Sequence, residues 1–296
     1  MNETISNYPL FSEATSEDCV IERMDGAPNA RLRTIMESVV RHLHAIVKET
    51  ELTSEEWFAA IQFLTRTGHM SNEWRQEFIL LSDTLGISML VDAINHRNGG
   101  VATDSTVLGP FHVSGAPQYA NGANICLDGK GEPLLVAGTV RDETGKPIAN
   151  AQLDVWQANE DGFYDVQQKG IQPDFNLRGL FRTDAEGKFW FRSVKPKAYP
   201  IPADGPVGDM LAALGRHPYR PAHIHFIVSA EGHQAVTTHL FDPDCAWLNS
   251  DAVFGVKPTL VADVQRIDDP QAARAAEIAN PFSKIEWDFV LLREPG

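Results

Sequence analysis

The chain has 296 residues, 43% of them hydrophobic and 22% charged, with a formal net charge of −15 at pH 7. That length can bury a sizeable core, as one large domain or as a domain with an accessory unit, and the acidic balance speaks against nucleic acid or an anionic membrane surface as partner. Cys19, Cys126 and Cys245 are too dispersed for a disulfide framework or a thiolate zinc cluster, and the polar start MNETISNYPLFSEATSED carries no export or spanning signature, so a soluble cytoplasmic protein is expected.

Residues 1–28 lack hydrophobic periodicity and are expected to hold little regular structure. From Arg31 to Glu49, Leu32, Ile35, Met36, Val39, Val40, Leu43, Ile46 and Val47 recur at spacings of three and four, which predicts a helix with a wide buried stripe; His42 and His44 beside it read as surface residues. Thr53 and Glu56 form a capping-box start, Trp57, Phe58, Ile61 and Leu64 continue that helix, and Gly68 is its expected stop. Ser71 opens a third helical region through Trp74, Phe78, Leu81 and Leu85. Beyond Gly86 a further helix carries Met89, Leu90, Ala93 and Ile94 towards Gly99 and Gly100.

The pattern then changes. LGPFHVSGAP (108–117) is a loop too apolar to be a plain linker, so it is expected to line something. Leu134 to Val140 reads as a strand, DETGKP as a turn, and AQLDVWQAN, RGLFRTD, KFWFRSV, HIHFIVSA, AVTTHLF and KIEWDFVLL as further strands, with Asp184 to Gly187 closing a hairpin between the third and fourth. Short strands without intervening helices predict an antiparallel sandwich or barrel.

In HPYRPAHIHF (217–226) strand alternation puts His223, His225 and Ile227 on one face and Ile224, Phe226 and Val228 on the other. Paired imidazoles make half of a transition-metal site; they are equally compatible with two ordinary strand histidines. Tyr164 in NEDGFYDVQ and Tyr199 in KPKAYPIP are candidate further ligands, or half-buried rings with satisfied hydroxyls.

Taken together, LGPF, DVWQANEDGFYD, KPKAYPIP and RPAHIHF, in this order, closely resemble the intradiol ring-cleaving dioxygenases of the catechol 1,2-dioxygenase group, over about residues 30 to 294. NSDAVFGVKPTL (249–260) is most similar to the members that cleave hydroxyquinol. The resemblance implies an all-β antiparallel sandwich catalytic domain over residues 106–296 and an N-terminal arm and helical dimerisation unit over residues 1–105, with lipid held at the interface of a homodimer. It implies one non-haem Fe(III) per chain, bound by Tyr164, Tyr199, His223 and His225. Ferric iron is a hard acid that favours anionic oxygen, and binding lowers a phenol's pKa far enough for ligation as phenolate.

By the same resemblance Tyr199 leaves the metal and accepts a substrate proton, Tyr164 stays, and Arg220 faces the charge that develops on the ring. Leu80, Asp83, Val107, Leu108, Gly109, Pro110, Phe111, Ile201, Pro202, Arg220 and Val253 would border an aromatic diol or triol that reacts with O2. Asp83 would receive the third hydroxyl of hydroxyquinol, the preferred substrate. Three other readings stand beside this one: a catechol or chlorocatechol dioxygenase, a β-sandwich binding domain without chemistry, and a zinc hydrolase, which two tyrosine ligands disfavour. One position departs from the group's pattern, since His239 in TTHLF stands where its catechol enzymes usually carry Gln.

Overall fold

A computed structural model of the chain describes residues 9–72 and 75–294. The chain divides into two compact units, Met1–Arg66 and Thr67–Gly296.

In the first unit, α1 (Ser16–Ile21) and a short 3-10 turn (Glu22–Met24) precede α2 (Ala30–Glu49) and α3 (Ser54–Met70), whose last turn from Thr67 is counted with the second unit. Helix α1 corrects the expectation of an irregular arm. It docks on α2 through Glu17, whose carboxylate pairs with Lys48 at 3.2 Å, and through Ser16, whose hydroxyl meets His44 Nδ1 at 3.2 Å. Asn29 caps α2 by accepting from Leu32 N at 2.9 Å. Thr53 and Glu56 form the expected capping box, with Glu56 N donating to Thr53 Oγ1 at 3.3 Å and Thr53 N to Glu56 Oε2 at 2.9 Å. Gly68 does not stop α3, which runs on to Met70. Among the described residues the stripe on α2 is left largely open: Val40 is covered, but Leu32, Leu43 and Ile46 are 54 to 59% exposed, and Trp57 and Phe58 on α3 exceed 50%. One short helical layer has no second layer to lay against that face.

The second unit begins with α4 (Glu77–Thr84) and α5 (Ile87–Asn95). Helix α4 starts at Glu77 and not at Ser71, and Trp74, expected on its stripe, lies outside the described residues. Its start is set by tertiary contacts. The buried Glu77 carboxylate pairs with Arg75 at 2.9 Å and accepts from Val207 N, at 3.2 Å, in α6 (Pro206–Ala213).

The remaining strands are β1 (Pro133–Asp142), β2 (Gln152–Gln157), β3 (Arg178–Arg182), β4 (Lys188–Val194), β5 (Tyr199–Pro200), β6 (Tyr219–Arg220), β7 (His223–Ser229), β8 (Val236–Phe241), β9 (Val264–Ile267) and β10 (Phe282–Leu291). Two four-stranded sheets, ordered β4-β1-β10-β9 and β3-β2-β7-β8, face each other across the core; β5 and β6 pair separately. All seven expected strands form. Three details differ from the expectation. The pair β1 and β10 is parallel, with Gly138 opposite Trp287. The turn at Asp184, where Asp184 Oδ1 accepts from Glu186 N and Lys188 N, closes no hairpin, because β3 and β4 belong to different sheets. Two helices, α6 and α7 (Pro270–Ala275), interrupt the strand series, each with proline in its first turn, where a missing N–H costs nothing.

The alternation read from β7 is realised. Ile224, Phe226 and Val228 are fully buried in the core with Val136, Val155, Phe191 and Phe289, which turns His223 and His225 to the opposite face. No helix among the described residues is long and apolar enough to cross a membrane.

Candidate metal centre

His223 and His225 are each 1% exposed. His223 Nδ1 lies 2.7 Å from the Pro221 carbonyl, an acceptor only, so Nδ1 carries the proton and Nε2 presents its lone pair. That Nε2 is 3.1 Å from His225 Nε2, which is 2.9 Å from Tyr164 Oη, and Tyr164 Oη donates towards Tyr199 Oη at 3.4 Å. The four side chains singled out in the sequence therefore converge on one point from β7, β5 and the loop after β2.

The local sequence explains how the two tyrosines meet. After β2 the chain turns at Asn159, whose side chain accepts from Asp161 N and Phe163 N, and passes Gly162 at φ +82. A Cβ at Gly162 would sit 3.0 Å from Ala198 O and 3.2 Å from Tyr199 Cβ, so only glycine lets the Tyr164 loop lie against the Tyr199 strand. Tyr164 is then pinned by Gln167, whose Oε1 accepts from Tyr164 N at 2.9 Å. Tyr199 pairs with Arg220 across β5 and β6, which brings the guanidinium beside it. Phe111, from the apolar loop 108–117, stacks on Tyr164 with centroids 4.6 Å apart and meets Tyr199 edge-on.

Three groups around the cluster escaped the sequence reading. Trp156 on β2 stacks flat on His225 at 4.5 Å, fixing the ring plane. Arg178, 1% exposed, donates from Nε to Asp165 at 2.7 Å and lies 5.9 Å above the Tyr164 ring. Asp251 holds Arg220. None of these pairings is local in sequence, and alternation gave no signal for Trp156, since Val155, Trp156 and Gln157 are buried one after another. His239, flagged as a departure, is opposite His225 on β8, wholly buried and 4.1 Å from it ring to ring. Neither of its nitrogens has a partner in hydrogen-bonding geometry, and burial, then the charges of His223 and Arg220, holds it well below the ordinary histidine value against a smaller opposing effect of the Val107 backbone.

Electrostatics agree with a cation at this point. Burial, then the Arg220 charge, pushes His223 down to about 3, and burial, then the neighbouring imidazoles, holds His225 well below the ordinary histidine value, so both rings are neutral and keep a lone pair for a cation. Burial, then the nearby Tyr199 oxygen, holds the Tyr164 phenol well above its usual value, so it is neutral unless a cation sits beside it. Two nitrogens bound about 2.1 Å from one ion at right angles would be roughly 3.0 Å apart, close to the 3.1 Å observed. Among the described residues, His223, His225 and His239 also have donor atoms within 4.8 Å of one another. The shorter separations, 2.9 to 3.4 Å, run through the two phenols. A hard metal ion fits a donor set with two phenol oxygens, a ligand type that zinc sites, built from His, Cys and carboxylate, rarely use.

The residues expected to wall the pocket lie in several surroundings. Ile201 and Val253 are buried in one apolar cluster with Leu211 and Ala252, with Leu80 packed on it. Pro202 is next to Ile201 and half-buried. Asp83 is half-buried on α4; burial raises its carboxyl, opposed by the Ser88 hydroxyl and the Arg220 charge. A Cβ at Gly109 would lie 3.2 Å from His225 Cε1, which places that backbone against the cluster, as does Val107 beside His239. Leu108 is 44% exposed and borders a separate cavity of about 230 Å³ lined also by Asp92, His96 and Thr237; Pro110 is exposed.

A helix-flanked sandwich with a buried ring of two phenols and two imidazoles defines a candidate metal-dependent enzyme. Residues 29–103 match the family described as catechol dioxygenase N terminus, and residues 107–293 match the one described as dioxygenase. A hydroxyquinol 1,2-dioxygenase of a Rhizobium strain is 61% identical over 98% of this chain and 99% of its own. A catechol 1,2-dioxygenase of Candida albicans is 39% identical over 90% of this chain and 89% of its own. The solved hydroxyquinol 1,2-dioxygenase of Pseudomonas putida superposes with a TM-score of 0.90 at 47% identity, covering 95% of this chain and 99% of that one. The chain belongs to the intradiol ring-cleavage dioxygenase family.

Proposed function

We propose that this enzyme opens the ring of hydroxyquinol (1,2,4-trihydroxybenzene) between its adjacent hydroxyl-bearing carbons, with both atoms of O2 entering 3-hydroxy-cis,cis-muconate, the tautomer of maleylacetate. One ring C–C bond breaks and both oxygen atoms are retained, so no external reductant is needed. The convergence of Tyr164, Tyr199, His223 and His225 within 2.9 to 3.4 Å steps carries the reading, and they would hold one Fe(III) per chain. When bound, ferric iron supplies a Lewis-acidic centre that keeps the adjacent diol oxygens anionic and the ring electron-rich towards dioxygen.

The chain's own groups do the rest. Tyr199 Oη accepts a proton from a substrate hydroxyl, Tyr164 stays in place, and Arg220 stabilises negative charge on the ring. Leu80, Val107, Gly109, Phe111, Ile201, Pro202 and Val253 border the ring, with Leu108 and Pro110 at the outer side of the loop, and Asp83 accepts from the third hydroxyl. Hydroxyquinol is favoured over catechol and chlorocatechols because a half-buried carboxylate beside Arg220 suits a substrate with one more donor.

Residues 1–105 serve as the dimerisation unit and 106–296 as the catalytic domain, a division supported by family matches that end at 103 and restart at 107. The exposed α2 and α3 faces would be covered by a second copy, with lipid acyl chains in the remaining gap. Three free cysteines support a reducing cytoplasm. Oxygen uptake by iron-loaded protein, given hydroxyquinol, catechol and chlorocatechols in turn, tests the substrate: a preference for catechol overturns it, and no uptake on any diol overturns the reaction.

A further inference from the structure

We infer that Asp251 is the positioning residue that aims Arg220 at the cluster. The inference rests on the ring-cleavage reading above. The two side chains are 3 and 2% exposed and pair along two edges, Nε to Oδ1 at 3.2 Å and Nη2 to Oδ2 at 3.3 Å. Only Nη1 is left over, and it lies 3.4 Å from His223 Nε2, facing the cluster. A guanidinium anchored by two of its three nitrogens has one direction left in which to point.

The carboxylate is held just as firmly. Oδ1 accepts from Val253 N at 3.3 Å and Oδ2 from Gly255 N at 2.9 Å, while Ala252 N donates to Tyr219 O at 3.1 Å, tying the loop to β6. Val253 itself packs on Ile201 and Leu211. Burial works against the Asp251 charge, but Arg220 outweighs it and keeps the carboxyl below its ordinary value. The loop also closes around the pair: a Cβ at Gly255 would lie 2.8 Å from Arg220 Nη2 and 3.1 Å from Asp251 Oδ2, so any side chain there displaces the guanidinium.

Two variants probe this without removing Arg220. Asp251→Asn keeps the shape but loses the charge and one paired edge, and Gly255→Ala pushes Nη2 while leaving the carboxylate intact. In each, kcat on hydroxyquinol should fall at least tenfold. Iron content, the phenolate-to-iron absorption band and the anaerobic Kd for the diol, read from that band, should stay within about threefold. In an Arg220→Ala background, Asp251→Asn should cause no additional loss of kcat. Should Asp251→Asn fail to fold, Gly255→Ala alone decides. A kcat within twofold of wild type in the folded variants overturns the inference, as does an equal loss in the Arg220→Ala background, which would mark a role in the fold. Wild-type protein that binds diols anaerobically yet consumes no oxygen overturns the proposed function, and the inference with it; a competent wild type with unaffected variants overturns the inference alone.

Discussion

His223 and His225 show how little freedom the site leaves its imidazoles: one ring is fixed by the Pro221 carbonyl, the other by the face of Trp156, and their Nε2 atoms end 3.1 Å apart. On the proposed ligand set, removing either imidazole would take away one of four donors, and metal binding is coupled to the full set. His223→Ala protein, reconstituted with ferric iron, should therefore retain well under stoichiometric metal and lack the red-brown phenolate band. Full iron content with unchanged colour would put the ligand set elsewhere. In the proposed function Asp83 would act at the same scale, through a single hydrogen bond. A charge-assisted bond to the third hydroxyl is worth about 1.5–3 kcal/mol, or roughly 10- to 150-fold. Asp83→Ala should lower kcat/KM for hydroxyquinol by that factor and leave catechol turnover equal or better; equal losses on both would show that Asp83 works through α4.

At the scale of elements, the sandwich depends on how closely β1 and β10 approach. Gly138 is the contact point, where a Cβ would fall 1.6 Å from Trp287 O, an overlap with backbone that no rotamer relieves. Overpacking of this kind exceeds ordinary core strain, so Gly138→Ala should cost at least about 3 kcal/mol or prevent folding. Gly145→Ala is the control. That glycine sits at φ +85 in an open turn with nothing near its missing Cβ, and the change should cost about 1 kcal/mol. Urea midpoints of the two variants measure the difference, and similar values would mean the strands separate without penalty.

For the whole molecule two outcomes follow, one from the surface and one from the interior. Leu32, Leu43 and Ile46 on α2 and Trp57 and Phe58 on α3 are large apolar side chains each more than half exposed, more than scattered surface residues account for, and a two-fold pairing is the simplest closure. Sedimentation at micromolar concentration should give twice the chain mass, and a species of one chain mass would refute the dimer. Inside, His223, His225 and His239 are held neutral below their ordinary value, chiefly by burial. The unfolded chain takes up protons near pH 6.5 that the folded chain refuses until about pH 3 for His223, so the unfolded state binds more protons in that window. Stability of the metal-free protein is thus fully present above about pH 6.5 and lost as pH falls, with up to about 1.4 kcal/mol per pH unit for each histidine. Urea titrations at pH 7.5, 6 and 5 should show the decline, and a flat profile would contradict buried neutral imidazoles.

Much of this architecture was legible in local pattern. Strand alternation in HIHFIVS placed the histidines on the face away from the core, because a side-chain period of two leaves no other choice once Ile224, Phe226 and Val228 are buried. The Thr53 capping box is likewise a contact between residues three apart. What local pattern could not decide was anything set by partners distant in the chain. The turn at Asp184 passes between sheets, because closing it as a hairpin or as a crossover uses the same four residues. The start of α4 follows from Glu77 meeting Val207, 130 positions away, and the two anchors of Arg220 come from a loop 31 positions on. The stripe on α2 looked like core for the same reason: periodicity tells which face is apolar, whereas only the packed chain tells whether it supplies the cover.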